Sequence, residues 1–258
     1  MEQERFEHKV DRALVPICKI LGVELAAIDM PWLMSFTEAH LKELSGDYIC
    51  VSNVHTTVTA YEDPSYMTIQ NGAMLAIPDG GPLSTTGRKR GYSGMKRVTG
   101  PDYMHACLEA GREKGWRHYF YGGTQQTLDT LQEELPERYP GVQIAGMYSP
   151  PFRPLTEEED AAAVKAIADA QPDFVWVGLG APKQERWMYA HRGRVCGLMV
   201  GVGAAFDYEA GNIKRAPQWM QDQDLEWLYR LMQDPKRLYK RYLHTNWIYI
   251  MEAELRGK

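Results

Sequence analysis

The run FVWVGLGAPKQE at residues 174–185 decides the fold. Its opening half is a short apolar stretch of strand length, closed by Gly178 and Gly180. Pro182 then suits the first turn of a helix, where its missing N–H costs no hydrogen bond. A strand stopped by glycine and followed by a helix is one unit of a parallel sheet covered by helices.

The same unit repeats outward from this run. Apolar stretches at 48–52, 74–78, 118–121, 142–148, 174–179 and 197–202 read as strands, several ending in glycine, proline or a polar residue. Between them, Leu128, Leu131 and Leu135 line one helical face, and Thr156 with Glu159 forms a capping box ahead of AAAVKAIADA. The pattern predicts an α/β fold, a Rossmann-like, mostly parallel sheet flanked by helices, over residues 1–210. Residues 211–258, punctuated by Pro217 and Pro235, are predicted to form a C-terminal helical appendage docked on or near the sheet. No internal repeat, linker or low-complexity segment interrupts the chain.

Composition narrows the functional class. With 258 residues, 44% hydrophobic and 24% charged, the chain can bury one large core, or one core plus an appendage. A net charge of -5 argues against general nucleic-acid binding. Cys18, Cys50, Cys107 and Cys196 form no CxxC pair and read as core thiols in a reducing cytoplasm. The N-terminal sequence offers neither a signal peptide nor a spanning helix, so an intracellular location is expected.

In sheets of this kind ligands bind outside the carboxyl ends of the strands, here Asn53, Asp79, Gly122–Gly123, Gly178–Gly180 and Gly201–Gly203. Asp79, followed by Gly80 and Gly81, is placed for a general base at the mouth of the sheet, although spacing alone favours a turn or helix cap. Asn53 and His55 follow the first strand and have the chemistry to orient a substrate, although such a histidine is also common as a structural group. Gln184 and Glu185 sit where glycines and Pro182 leave backbone N–H groups for a phosphate or sugar, or where the chain merely connects a strand to a helix. Asp207, in the glycine-rich run GVGAAFDYEAGNIKRAP, offers a carboxylate to a hydroxyl-rich ligand. Arg97 reads as a diphosphate contact or as one half of a surface ion pair. The C-terminal segment adds Lys214, Arg215, Arg230, Lys236, Arg237, Lys240 and Arg241, and arginine forks suit phosphate oxygens.

Taken together, VGLGAPKQE, GVGAAFDYEAGNIKRAP, LEWLYRL and PKRLYKRY, with VSNVHT, IPDG, RVTGPD and YGG upstream, resemble the bacterial glycosyltransferase family that includes TagA, CpsF and WecG. The resemblance covers residues 23–242. It implies transfer of a sugar, often N-acetylmannosamine, from a UDP-sugar to a lipid-diphosphate-linked saccharide at the inner membrane face, in teichoic acid, common antigen or capsule synthesis. It implies Asp79 as the base, Gln184 and Asp207 in donor recognition, Glu185 as a lesser contact, and Arg230 and Arg237 folding over the diphosphate. Lys240 stands where some relatives have arginine, and Val51 where the family often has threonine, with Ser52 next to it. No cofactor or metal is expected. The one Asp-x-Asp triplet, Asp222-Gln223-Asp224, falls at a helix start, where the helix dipole accounts for it.

The mix of Trp227, Leu231, Leu243, Trp247 and Ile250 with basic residues suits an anionic membrane interface, and equally suits packing on the protein's own core or on a second copy. A homo-oligomer with its appendage displaced is a further expectation. Two other functional classes fit parts of the chain. A nicotinamide-dependent oxidoreductase is suggested by GLGAPK and GVGAAF, although neither completes GxGxxG. A catalytically silent sugar-nucleotide-binding member is the other.

Overall fold

The computed structural model describes residues 6–258, apart from the side chains of Asp222 and Arg237. The chain opens with an antiparallel hairpin, β1 (Ile17–Ile20) and β2 (Val23–Ala26), turned by Leu21 and Gly22 at φ 51° and 85°. Helix α1 (Met30–His40) follows, then β3 (Tyr48–Ser52), α2 (Val54–Glu62), α3 (Pro64–Asn71) and β4 (Leu75–Pro78). Next come α4 (Gly81–Lys89), α5 (Gly100–Lys114), β5 (Arg117–Gly122), α6 (Gln125–Arg138) and β6 (Gln143–Tyr148). The core closes with α7 (Glu157–Ala170), β7 (Phe174–Gly178), α8 (Lys183–His191), β8 (Leu198–Gly201) and α9 (Ala205–Glu209).

Among the described residues, β3 to β8 form one all-parallel sheet in the order β4-β3-β8-β7-β5-β6. The register brings the carboxyl ends level: Ser52 pairs with Pro78, Val177 with Gly201, and Gly122 with Gly178. Alternate residues of each strand feed two apolar layers. Phe174 and Trp176 of β7 enter the layer with Phe120, Tyr103 and Phe206, while Val175 and Val177 enter the layer with Tyr48, Tyr66 and Met188. His118 stacks on Phe174 at 5.4 Å and accepts a hydrogen bond from Trp176 Nε1 at 3.1 Å. Burial pushes its pKa down to about 3, so it is neutral.

The α/β expectation and the six strands agree with this structure to within a residue or two at each end. The Thr156 and Glu159 capping box is present, with hydrogen bonds of 3.2 and 2.9 Å. The N-terminal hairpin is absent from the sequence reading. Its turn sets leucine, a residue that carries no turn signature, at positive φ beside Gly22.

After α9 the chain runs through α10 (Gln218–Asp222), α11 (Glu226–Gln233) and α12 (Pro235–Ile248), ending in π-helical turns at Tyr249–Leu255. Helix α12 lies along α2. The end of the chain is tied to α4 and the hairpin: Arg90 donates to the carbonyl oxygens of Ala253 (3.0 Å) and Lys258 (2.6 Å), and Thr86 Oγ1 lies 2.8 Å from Tyr249 Oη. The described segment from 211 onward therefore crosses the carboxyl edge of the sheet and is anchored beyond it.

Two glycines make the strand ends fit together. Gly122 has φ 118°, and a Cβ there would stand 2.6 Å from the backbone of Gly178. Gly122→Ala combines that clash with a backbone conformation closed to L side chains, and is expected to cost about 2–3 kcal/mol. Thermal unfolding should register this as a fall in Tm on the order of 5–10 °C. Gly94→Ala, where a Cβ meets nothing within 4 Å, should leave Tm unchanged.

Candidate active site

The turns at the carboxyl ends of β3, β4, β5, β7 and β8 open into one cavity of about 1350 Å³, roofed by the C-terminal helices. That exceeds the 300–1,000 Å³ common for small-molecule sites, and leaves room for two substrates side by side. Asn53, His55, Asp79, Arg97, Gln184, Asp207 and Arg230 all line it. Six elements distant in sequence thus deliver their polar residues to one space.

Asp79 ends β4, its N–H bonded to Ser52 O at 2.8 Å. The cap of α4 is Gly80, without a side-chain hydrogen bond, so the Asp79 carboxyl is not spent as the N-cap. Burial raises its pKa, Arg97 lowers it, Glu226 raises it, and Arg230 lowers it again, leaving a value of about 6. A carboxylate tuned to that value is ionised at neutral pH and basic enough to take a proton.

Asn53 caps α2. Its side chain accepts from Thr56 N at 3.2 Å while Thr56 Oγ1 accepts from Asn53 N at 2.9 Å, so only the amide NH₂ is left for a ligand. One turn on, His55 is held neutral, its pKa pushed down to about 4 by burial and then by the neighbouring Arg241. Its Nδ1 is buried without a hydrogen-bond partner.

Gln184 works between two turns. Its Oε1 accepts from Gly203 N at 3.1 Å and its Nε2 donates to Glu185 Oε1 at 2.8 Å, which fixes the β8 turn against the start of α8. Glu185 is fully buried. Its pKa is raised by burial, and near it runs a buried chain in which Ser52 Oγ donates to Gln70 Oε1 at 2.7 Å and Gln70 Nε2 donates to Tyr66 Oη at 2.9 Å. Glu185, expected as a lesser donor contact, therefore presents no surface to a ligand in this conformation and braces Gln184 instead. Two N–H groups after Pro182 are engaged within the chain, Gln184 N with Gly180 O and Arg186 N with Pro182 O. The Ala181–Pro182 peptide is cis.

Asp207, on α9, accepts from Asn212 Nδ2 at 3.2 Å through Oδ1. Arg230 reaches in from α11, its guanidinium 5.7 Å from the Tyr208 ring centroid. The side chain of Arg237 lies outside the described residues.

Of the two readings of Arg97, a diphosphate contact or an ion pair, the structure shows its guanidinium in an ion pair. Its Nε donates to the backbone oxygen of Asp79 at 2.8 Å, Nη1 to Gln221 O at 3.4 Å, and Nη2 to the Glu226 carboxylate. The guanidinium expected to meet a diphosphate is an ion-pair partner, within the protein rather than on its surface. Glu226 and Tyr208 were not singled out from the sequence, where Arg215 and Arg241 stood only within a basic run and Asp224 only within the Asp-x-Asp triplet. Asp224 presses against the Gly81 backbone so closely that a Cβ there has no room. In sequence they read as one alternately charged helical tail, and only docking distinguishes the residues that face inward. No group of three or more His, Cys, Asp or Glu side chains among the described residues is arranged to hold a metal ion.

Residues 18–257 match the model of the glycosyl transferase WecG/TagA/CpsF family. The chain belongs to this family. It is a glycosyltransferase, which sets aside the oxidoreductase reading. Among relatives, the N-acetylglucosaminyldiphosphoundecaprenol N-acetyl-beta-D-mannosaminyltransferase of Bacillus subtilis strain 168 is 30% identical over 212 residues, 81% of this chain and 80% of the relative. The protein of the same name from Bacillus spizizenii is 31% identical over 77% of this chain and 76% of its own length. A third of that name, from Staphylococcus aureus strain MW2, is 28% identical over 85% of each.

The bracing around Gln184 is testable. Glu185→Gln keeps the hydrogen bond to Gln184 and should retain both fold and UDP affinity. Gln184→Ala releases the Gly203 N–H and should weaken UDP binding by about tenfold in calorimetry, on the order of 1.4 kcal/mol.

Proposed function

We propose that this enzyme transfers N-acetylmannosamine from a UDP-sugar to a polyprenyl-diphosphate-linked N-acetylglucosamine, with inversion at the anomeric carbon, in cell-surface polysaccharide synthesis. The names of the relatives supply donor sugar and acceptor. The observation that carries the chemistry is the Asp79 carboxyl, raised to about 6 and set in a cavity large enough for both substrates.

The reaction assigns each group one task. The acceptor hydroxyl oxygen attacks the anomeric carbon while its proton passes to Asp79. The bond from that carbon to the diphosphate breaks, and its electron pair leaves with UDP. Arg230 and Arg237 meet the charge that develops on the leaving diphosphate, a role fixed cations fill well in a cavity shielded from water. Asp207 holds donor hydroxyls, and Gln184 sets the glycine turns against which the nucleotide lies. The Asn53 amide and the neutral His55 orient the acceptor. Arg97 acts through the protein rather than on the diphosphate.

In this reading residues 211–258 form an appendage that closes the site and touches the membrane. No helix among the described residues is long and apolar enough to cross a bilayer. Tyr239, Leu243, Trp247 and Ile250 are each more than half exposed, and their spacing places them on one face of the C-terminal helix with Lys236 and Lys240. Apolar and aromatic residues flanked by lysine suit an anionic bilayer surface, where a lipid-linked acceptor is found.

Acceptor-dependent UDP release from a panel of UDP-sugars, measured in EDTA, tests the reaction. One donor should be consumed, with Asp79→Asn slower by about 10³-fold. Because Asp79 must be ionised to act, kcat/KM should fall about tenfold per pH unit below about pH 6. UDP release from no donor, with the lipid-linked acceptor present, would overturn the proposal.

Membrane contact is tested separately. The protein should sediment with vesicles containing phosphatidylglycerol in a salt-sensitive manner. Leu243→Glu combined with Trp247→Glu should abolish sedimentation while leaving Tm unchanged. Equal sedimentation of this double variant would place the contact elsewhere.

A further inference from the structure

Beside Asp79, two parts of the chain more than a hundred residues apart are joined through one carboxylate. The side chain of Glu226, the first residue of α11, is only 11% exposed, and its two oxygens address two arginines. Oε2 pairs with Arg97 Nη2, and Oε1 lies 3.7 Å from Arg215 Nε. Arg97 belongs to the core and also holds the Asp79 backbone oxygen. Arg215 belongs to the C-terminal segment and reaches back to the core, with Nη1 2.6 Å from Asp102 Oδ1 and Nη2 3.4 Å from Thr99 Oγ1. The clasp therefore runs from Asp79 through Arg97, Glu226 and Arg215 to Asp102.

A carboxylate placed here works against the simplest design of a diphosphate site, because it occupies an arginine fork a phosphate would otherwise use. We propose that Glu226 is a positioning residue, clasping Arg97 and Arg215 to hold the 211–258 segment shut over Asp79, so that the base is fully basic only when the segment is docked. This rests on the reading of Asp79 as the general base.

The groups facing Asp79 give the coupling its sign. Arg97 and Asp102 approach from the core, Glu226 and Arg230 from the C-terminal segment and Tyr208 from α9, while Asp224 lies against Gly81 and interacts with Arg97, and His55 of α2 lines the same cavity. Docking withdraws the Asp79 carboxyl from water and places the Glu226 charge near it, and both raise its pKa. Opening removes both effects and also the smaller lowering effect of Arg230, while Arg97 stays with the core; burial and Glu226 outweigh Arg230, so the pKa falls. A carboxylate of lower pKa is a weaker base, and the open state loses proton-abstracting power as well as shielding.

The test compares the full-length protein with Glu226→Gln, which keeps the side chain's shape, and with Arg215→Gln, which breaks the clasp from its other end. Hydrogen exchange read by mass spectrometry should quicken in residues 226–248 by about tenfold or more in Glu226→Gln, with exchange in the sheet unchanged. The unchanged exchange in the sheet certifies the fold. Acceptor-dependent UDP release should show kcat down by about tenfold or more, with the donor KM within about threefold and the acid limb moved below pH 6 by roughly half a unit or more. Arg215→Gln should move each quantity the same way by less.

Unchanged exchange in residues 226–248 would overturn the clasp. A rise in donor KM at constant kcat would make Glu226 a substrate contact, and a lowered kcat with the acid limb still at about pH 6 would reduce it to a structural ion pair. Either result refutes the coupling. If the parent enzyme transfers no sugar, the proposed function falls, while the exchange comparison still decides whether Glu226 holds the segment shut.

Discussion

Six parallel strands ending on one edge impose a constraint that shapes the rest of this protein. The strands deliver their last residues to a common level, and side chains there would crowd the space a ligand needs. Gly122 against Gly178, and Gly201 beneath Gln184, relieve the crowding at the centre of the sheet. The polar residues that follow each turn can then converge: Asn53 after β3, Asp79 after β4, Gln184 after β7, Asp207 after β8. Parallel topology also requires the long helical crossovers whose N-termini surround the cavity. Site and fold therefore share one cause.

Charge is distributed across that cavity by solvation. Glu185, sealed beneath the turns with one oxygen unpartnered, is driven toward its neutral form and serves as a hydrogen-bonding brace. His55 and His118 are likewise held neutral. Asp79 sits between these extremes, withdrawn from water yet within the field of Arg97 and Arg230. Burial alone would push it further toward the protonated state; the arginines bring it back to a value from which it can act as a base near neutral pH. On the proposed reading the same fold holds one carboxyl for structure and one for chemistry, distinguished by their access to cations.

The sheet was legible in the sequence because strand, glycine stop and helix recur with local signatures, and the capping box at Thr156 is a rule about residues three apart. Asp79, Asn53, Gln184 and Asp207 were legible as strand-end polar groups. What escaped was set by distance or by backbone strain. Arg97 and Glu226 are 129 positions apart, and nothing local to RVTG or LEWLYRL announces that they meet. Glu185 adjoins Gln184 in sequence but turns into the core, a difference of helical phase invisible without knowing which face packs. The hairpin at residues 17–26 hides behind a leucine in a left-handed turn.

The C-terminal segment carries opposite demands on its two faces. Arg230 and Arg241 line the cavity, while Tyr239, Leu243 and Trp247 look outward. If the outward face rests on lipid, the helix that bounds the site also marks the membrane surface, so a lipid-linked acceptor enters the cavity from the side of that helix. A soluble sugar nucleotide needs no such registration and can reach the glycine turns from the side of the sheet. The two substrates then approach from different sides of one cavity, and the ion pairs fastening the segment to the core fix the distance between them. On the proposed reading, loosening that fastening costs alignment before it costs stability, because most of the apolar core lies in the two layers against the sheet, to which the segment contributes Tyr249 and Ala253.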